Sequence, residues 1–419
     1  MRRFRMESDM QPAALDSTSP APFNVWRATV SGAGASLIGI GLARFAYTPL
    51  LPAIIGAHWF PASTAAYLAA ANLGGYLAGA LLGGPMARRA QPATVVRALM
   101  LLVTIAFVAC AVPVSFLWFF VWRFASGLAG GALMVLAAPT ILAHVPPSRR
   151  GFASGGIFTG IGLGIAASGT IVPILLRHGL TSAWIGLAIV SLLLTAVSWN
   201  GWPQHDTPVH AAAAAHQAHQ AHQAHQAHAR IVPVKGIRAL YVEYGLNAVG
   251  LVPHMIFLVD FVARGLGKGV DAGAQYWVLY GLGAIVGPIA CGHLADRAGF
   301  GPALRVAWLV QIVAVALPAT GLGQAGLMVS SVVIGAFTPG IVALVLGRVN
   351  ELLAHHPSLV KATWRRATTS FAVMQAVAAY GLSYVFSTSG GDYAVLFVIG
   401  AAALAIALAV DLLVSLRRG

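Results

Sequence analysis

The chain has 419 residues, of which 58% are hydrophobic and 9% are charged, and its mean hydropathy is +0.80. An ordinary soluble domain is about a quarter charged. This composition therefore excludes a water-soluble globule and predicts a polytopic membrane protein, whose apolar side chains face lipid. Lys and Arg number 25 against 11 Asp and Glu, and the placement of these charges decides what the excess means.

The chain begins with a polar tail, residues 1–27, which carries Arg2, Arg3 and Arg5. No apolar stretch follows until about Val30. That spacing does not fit a cleaved signal peptide. We therefore expect a cytoplasmic N-terminal tail.

Twelve apolar segments follow, and each is long enough for a membrane helix, because about 20 residues cross the hydrocarbon core. Six are predicted at residues 28–55, 63–84, 96–114, 117–142, 151–176 and 181–199. Six more are predicted at residues 237–261, 273–294, 304–320, 325–348, 364–386 and 393–415. The sequence therefore predicts an all-α membrane protein with twelve transmembrane helices.

A polar segment at residues 200–236 separates an N-terminal six-helix bundle, 28–199, from a C-terminal bundle with a short cytoplasmic tail, 237–419. It contains a His-Gln-Ala repeat with His216, His219, His222, His225 and His228. Histidine is a common metal ligand, but a period of three imposes no tetrahedral site. We expect a low-complexity cytoplasmic linker that holds no metal, with a metal-sensing loop as the alternative.

The positive charges follow the predicted topology. With the amino terminus inside, twenty Lys and Arg lie on the cytoplasmic side and three, Arg177, Arg264 and Lys268, lie outside. Arg44 and Arg123 lie within predicted helices. Since short loops rich in Lys and Arg stay in the cytoplasm, both termini are predicted to be cytoplasmic and no nucleic-acid partner is expected.

An internal repeat relates the two halves. A shift of 208 positions superposes glycines and arginines of the second helix of each half and of the loop that follows it. The pairs are Gly75 with Gly283, Gly79 with Gly287, Gly84 with Gly292, Arg89 with Arg297, and Arg97 with Arg305. Such a parallel repeat predicts two pseudo-symmetric bundles about an axis normal to the membrane.

Four stretches resemble the major facilitator superfamily of secondary transporters. Residues 292–299, Gly-His-Leu-Ala-Asp-Arg-Ala-Gly, are similar to its signature loop between helices 8 and 9, and residues 123–130 are similar to its helix 4 motif with a membrane-embedded arginine. In the first-half copy of the loop, Arg88 replaces the acidic residue and Gln91 the glycine. Residues 39–52 and 367–375 resemble the bacterial YbfB/YjiJ branch.

The resemblance implies a fold of two six-helix bundles that carries a small molecule by alternating access. It also implies a multi-pass protein of the bacterial inner membrane, in contact with the lipid bilayer, and a monomer. Asp296, Arg297 and Arg89 then take the place of the gating-loop residues of the superfamily.

Arg44 is the first candidate substrate-binding residue. An ionised group in hydrocarbon costs several kcal/mol, so it usually faces a cavity, a partner or a transport path. Arg44 lies about sixteen residues, or ~24 Å, from the start of its helix, and Tyr47 and Thr48 lie beside it one turn later. We expect these residues to bind an anionic substrate group. The alternative is a structural arginine bonded to helix carbonyls.

Arg123 is a second buried arginine and a candidate for substrate binding. Ser126, Gly127 and Gly130 lie on or near its face, and the glycines allow close helix approach. The resemblance implies a place in a proton-coupling relay. The alternative is that the side chain extends outward to the headgroups.

The seventh predicted helix carries a polar stripe. Glu243, Asn247 and His254 follow one another at helical spacing and share one face. Glu243 and His254 change protonation near neutral pH if burial shifts them, so they are candidates for proton coupling, and Asn247 for substrate binding. The alternatives are an interfacial carboxylate and a satisfied core histidine.

Two neutral groups complete the predicted site. Thr338 precedes Pro339 and Gly340, where a broken helix frees carbonyls, and Gln375 lies in the eleventh helix. Both are expected to bind substrate, with helix packing as the alternative. Asp260 and Asp411, near helix ends, are expected to mark the membrane interface.

The sequence contains no phosphate-binding glycine loop and no constellation of nucleophile and base, so neither a cofactor nor an enzyme activity is expected. The energy then comes from an ion gradient, and protons are the expected coupling ion. Two buried arginines favour a small organic anion. The alternatives are a proton-driven exporter of drugs or amphipathic metabolites, in which Arg44 pairs with a protein carboxylate, a metal sensor using the histidine loop, and a polytopic membrane enzyme.

Overall fold

The computed structural model describes residues 23–146, 149–203 and 234–416. Within them the chain is all-α, and twelve helices are long and apolar enough to cross a membrane. They are α1 Val25–Gly56, α2 Ala62–Arg89, α3 Pro92–Ala109, α4 Phe116–Leu142, α5 Phe152–Leu176, α6 Leu180–Ser198, α7 Val234–Gly265, α8 Gly269–Ala298, α9 Phe300–Thr320, α10 Gly323–Leu352, α11 Ser358–Thr388 and α12 Tyr393–Leu416. The predicted fold class is confirmed. The histidine repeat and most of the N-terminal tail lie outside the described residues.

The helix boundaries differ from the predicted ones where local chemistry outweighs hydropathy. The third helix ends at Ala109 rather than at residue 114, since Pro113 lacks the N–H that a helix needs. α11 begins at Ser358, six residues before its predicted start. The six added residues include polar and charged ones. A hydropathy window does not count such residues in a span, although the helix itself continues beyond the apolar segment.

The two ends of the bundle are named here by α1: the near face carries Val25 and the far face carries Gly56. Odd-numbered helices run from the near face to the far face, and even-numbered helices run back. Helices α1–α6 form the N-terminal half, and α7–α12 form the C-terminal half. The predicted orientation makes the near face cytoplasmic.

Glycines that the sequence repeat relates make equivalent contacts in the two halves. A Cβ atom on Gly79 of α2 would collide with the backbone of α4 at Leu128. The corresponding contact, 208 positions later, joins Gly287 of α8 to the backbone of α10 at Ala336. Glycine therefore lets the second and fourth helices of each half approach to backbone contact.

Both α1 and α7 lose regular α-helical geometry at mid-depth. In α1 a π-helical segment, Leu37–Leu42, leads into a turn at residues 43–46 before the α-helix resumes. In α7 a π-helical segment, Pro253–Phe257, begins at a proline, and a second one follows at Phe261–Gly265. Proline and glycine weaken the regular ladder, and such segments free carbonyls for side-chain donors.

α5 and α8 pack together in their far portions and separate towards the near face. Gly155, Gly162 and Gly169 share one stripe of α5, since seven residues are two helical turns. A Cβ atom on Gly169 would lie 2.9 Å from Val278 Cγ2 of α8, and one on Gly162 would lie 2.7 Å from Ile285 Cγ1. At Gly155 nothing lies within 4 Å. The contacts between the halves are thus concentrated towards the far face.

We expect Gly169→Val to weaken closure of the far face, because the added methyl groups meet the α8 backbone and Val278. Spin labels on His178→Cys and Asp271→Cys, at the far ends of α5 and α8, in a chain without Cys110 and Cys291, measure this by double electron–electron resonance. The variant should populate longer distances. Gly155→Val, on the same stripe with open space around it, is the control. Unchanged distances in Gly169→Val would contradict the packing argument.

Candidate functional site

Arg44 lies between the two halves, within the turn of α1 at residues 43–46. Its Nη2 atom lies 3.5 Å from Met255 Sδ of α7. Its guanidinium carbon lies 5.0 Å from the ring centroid of Phe45 and 5.3 Å from that of Tyr76. Its Nε atom is buried without a hydrogen-bond partner. The protein thus surrounds this cation with rings and a thioether.

Arg44 has no carboxylate partner in the described part of the chain. The ion pairs found there are Arg264 with Asp260, Arg305 with Asp411, and Arg348 with Glu351. A thioether is a weak acceptor, and a buried charge without a counterion is unfavourable. The guanidinium therefore has donors available for an anionic group.

Three tyrosines bring hydroxyl groups to the surroundings of Arg44. Tyr280 of α8 is 2.5 Å from Thr338 Oγ1 of α10, which donates in turn to the Ile334 carbonyl at 2.9 Å. Tyr76 and Tyr280 lie close enough to Arg44 to interact with its charge, and Tyr244 lies similarly close to Tyr76. Among the described residues, the hydroxyls of Tyr76 and Tyr244 have no hydrogen-bond partner.

Met255 links these groups to α11, because Gln375 Nε2 lies 3.6 Å from the same sulfur atom that contacts Arg44. The resulting cluster, called the central site, draws on both halves. It consists of Arg44, Tyr76, Tyr244, Met255, Tyr280, Thr338 and Gln375. Of the predicted substrate-binding residues, the structure brings Arg44, Thr338 and Gln375 together here.

Tyr47 and Thr48 lie beside Arg44 in the chain but their side chains point elsewhere. The Tyr47 hydroxyl donates to the Ala65 carbonyl of α2 at 2.8 Å. The Thr48 hydroxyl donates to the Met255 carbonyl at 2.6 Å and thereby joins α1 to the π-helical segment of α7. Both groups satisfy backbone carbonyls at the borders of the central site.

Arg123 is held inside the N-terminal half. Its Nη1 atom donates to the Ala43 carbonyl at 2.8 Å, and its guanidinium carbon lies 4.4 Å from the ring centroid of Tyr47. Asn72 Nδ2 also contacts the Ala43 carbonyl, at 3.2 Å. The side chain is 2% exposed, so it does not extend to the headgroups. It satisfies the carbonyl that the turn of α1 releases.

Asn247 and His254 face the interior of the C-terminal half. Asn247 Nδ2 donates to Gln311 Oε1 of α9 at 2.9 Å. His254 Nε2 lies 2.7 Å from Ser330 Oγ, and that hydroxyl donates to the Ala314 carbonyl at 2.6 Å. Because the serine proton is used, His254 Nε2 must be the donor. The structure does not bring these residues to Arg44.

Glu243 is buried closer to the near face. It borders a cavity of about 20 Å³ together with Arg348 and Asp411. Asp411 pairs with Arg305 of α9. The carboxylate thus lies in a charged region between α7, α9, α10 and α12, one turn from Asn247 and on the near side of the central site.

The three predicted gating-loop residues lie at the near ends of α2 and α8. Arg89, Asp296 and Arg297 are all exposed. In the described part of the chain they form no ion pair with one another. The exposure of these three side chains agrees with the separation of α5 and α8 towards the near face.

Asp260 lies close to the far end of α7 and is enclosed by protein. It is fully buried and accepts from Arg264 Nε at 2.5 Å, Arg264 Nη2 at 2.6 Å and the Tyr393 hydroxyl at 2.6 Å. The second π-helical segment extends α7 to Gly265, which places Asp260 inside the bundle. The carboxylate ties α7 to α12 near the far face.

Sequence reasoning missed four members of the central site: Tyr76, Tyr244, Met255 and Tyr280. Each is a side chain that counts as apolar in a hydropathy window but carries a hydroxyl or a polarisable sulfur. The available signal was their depth, since all four lie well inside predicted membrane helices. Depth alone does not distinguish a side chain that faces the central site from one that packs against a neighbouring helix.

Comparison with known proteins identifies the architecture. The family model described as "Uncharacterised MFS-type transporter YbfB" matches residues 36–412. No curated protein matches the sequence significantly. The structure is similar to the crystal structure of a D-xylose-proton symporter, with 15% identity, a TM-score of 0.70, and coverage of 91% of this chain and 97% of that chain. It is also similar to a partially occluded inward-open conformation of the xylose transporter XylE from E. coli, with 15% identity, a TM-score of 0.68, and coverage of 92% and 96%. At such identity the two structures establish the fold alone.

We expect Asp260→Asn to destabilise the protein by about 2 kcal/mol, because Arg264 and Tyr393 lose an ionised acceptor in a buried position. The melting temperature of the detergent-purified protein measures the effect. Asp271→Asn, at an exposed position near the start of α8, is the control and should change it little. Equal melting temperatures for the two variants would contradict the role assigned to Asp260.

Proposed function

Because this chain belongs to the YbfB-like family of the major facilitator superfamily, a family of membrane transporters, we propose that it is a proton-coupled carrier of a small organic anion. The carrier works by alternating access: its two halves rock around the central site. It lies in the bacterial inner membrane as a monomer, with the near face in the cytoplasm. A transporter of this fold spans the membrane many times and moves a small molecule across the bilayer.

The observation that carries the anion proposal is the environment of Arg44. The cation lies between the halves, where its protein neighbours are two rings and a thioether. An arginine presents a planar fork of donors that matches a carboxylate. Binding of an anion there would neutralise the guanidinium and engage both halves at once.

The direction of opening supports alternating access. α5 and α8 touch over their far portions and separate towards the near face, so a solute reaching Arg44 from the near face meets a closed far side. Thr48 and Met255 join α1 to α7 next to the site. Rocking of the halves must change these contacts, because they connect the two bundles.

Protons are proposed as the coupling ion because α7 carries buried titratable groups, namely Glu243, His254 and Asp260. Asp260 is held by Arg264 and Tyr393, which leaves Glu243 and His254 as the candidates. Sodium would need several oxygen ligands in one place. Glu243 is the stronger candidate, since it borders a cavity between the central site and the near face. His254 is engaged with Ser330 inside the C-terminal half.

An exporter of amphipathic compounds would pair Arg44 with a protein carboxylate. No such pair occurs among the described residues. The geometry around Arg44 therefore favours the anion carrier over this alternative.

We expect Arg44→Gln to abolish the stabilisation that small carboxylates give to the purified protein. A ligand that binds only the folded state at about 100 times its Kd adds about 2.7 kcal/mol, and loss of a charge-assisted bond weakens binding at least about tenfold. Arg238→Gln, at an exposed near-face position, is the control. Carboxylate stabilisation that survives in Arg44→Gln would refute the anion site, and stabilisation by organic cations alone would favour the exporter.

We expect Glu243→Gln to uncouple transport from protons. Uptake into proteoliposomes driven by a pH gradient should fall at least about tenfold, while exchange of labelled for unlabelled substrate continues, because a glutamine cannot release a proton. Glu351→Gln, which removes an exposed carboxylate near the same face, is the control. If pH-driven accumulation persists in Glu243→Gln, this residue is not the coupling group.

A further inference from the structure

Two aromatic rings of the N-terminal half border the guanidinium of Arg44, and one of them contacts a ring of the C-terminal half. From the N-terminal half, Phe45 and Tyr76 lie 5.0 and 5.3 Å from its central carbon. From the C-terminal half, Trp277 lies 5.8 Å from the Phe45 ring and stacks on Tyr280 at 4.7 Å with an interplanar angle of 20°. These four rings, Phe45, Tyr76, Trp277 and Tyr280, are called the belt; they extend from the cation across the interface to α8.

The rings of the belt differ in how far they are buried. Tyr76 is only partly buried and its hydroxyl, like that of Tyr244, has no partner among the described residues. Tyr280, in contrast, is buried and bonded to Thr338. The belt therefore has a fixed part on α8 and an accessible part on α2, next to the free donors of Arg44.

The charge of the site is a single positive unit. Arg44 is the only cation among the described residues that form the central site. Arg123, the other buried arginine, already donates to the Ala43 carbonyl and lies over the Tyr47 ring. One uncompensated guanidinium matches one carboxylate, whereas a dianion would leave a negative charge buried without a partner.

We propose, on the basis of the anion transport proposed above, that the substrate is an aromatic monocarboxylate. Its carboxylate binds Arg44 and its ring packs against Tyr76, the partly exposed ring beside the guanidinium. Rings in contact prefer offset-stacked or edge-to-face arrangements and gain more than their buried area gives. A ring hydroxyl would find partners in Tyr76 and Tyr244, so hydroxylated aromatic acids suit the site best.

The first test compares ligands of matched size. The melting temperature of the full-length protein in detergent is titrated with benzoate, 4-hydroxybenzoate, cyclohexanecarboxylate and phthalate. We expect 4-hydroxybenzoate and benzoate to bind at least about tenfold more tightly than the saturated ring and the dianion, since only the former combine one charge with a planar ring.

The second test removes one ring from the belt. Tyr76→Leu replaces the partly exposed ring by an apolar side chain and should weaken benzoate binding severalfold while leaving cyclohexanecarboxylate binding nearly unchanged. Phe152→Leu, at an exposed position on α5, is the matched control. Phe45→Leu, at the buried ring beside the guanidinium, provides a second variant if Tyr76→Leu does not fold.

The outcomes separate this inference from the function on which it rests. Equal stabilisation by benzoate and cyclohexanecarboxylate, both lost in Arg44→Gln, would overturn the aromatic substrate and leave anion transport standing. Tighter binding of phthalate than of benzoate would overturn the inference that the substrate carries a single negative charge. No stabilisation by any carboxylate would overturn both proposals.

Discussion

The constraint on which this structure depends is that every backbone polar group inside the hydrocarbon needs a partner. α1 and α7 break their regular hydrogen-bond ladder at mid-depth, so released carbonyls must find side-chain donors. Arg123 donates to the Ala43 carbonyl, and Thr48 donates to the Met255 carbonyl. The first contact stays within the N-terminal half, and the second joins the halves. The same irregular segments therefore organise each bundle and their contact.

The interruption of α1 also explains the position of Arg44. Gly41 of α1 meets Gly164 of α5 at backbone distance, so α1 leaves little room for a larger side chain at that position. Within the turn at residues 43–46, the Arg44 side chain lies between the halves, beside Met255 and Tyr76. The two arginines thus differ: Arg123 donates to a backbone carbonyl, whereas Arg44 has an Nε atom without a hydrogen-bond partner.

Much of the fold was predictable because the bilayer imposes a length and a hydropathy on every span, and because glycines such as Gly79 and Gly287 repeat at backbone contacts. The buried arginines were predictable from the rarity of charge in hydrocarbon. The side chains that surround these polar residues in the folded protein were not predictable. Periodicity placed Asn247 and His254 on one face of α7 but could not show that this face meets α9 and α10. Pairing across helices depends on packing, which single-helix periodicity does not contain.

Met255 connects the chemistry of the site to the motion of the halves. Its sulfur contacts Arg44 and Gln375, and its carbonyl accepts from Thr48. A thioether is a weaker partner for a guanidinium than a carboxylate is. An anion that displaces it removes one of the two polar side-chain contacts described between α1 and α7 and leaves the other, the neutral Thr48 bond. Under the proposed function, substrate binding therefore exchanges a direct contact between the halves for one through the substrate. This exchange gives a bound anion an influence on their relative position.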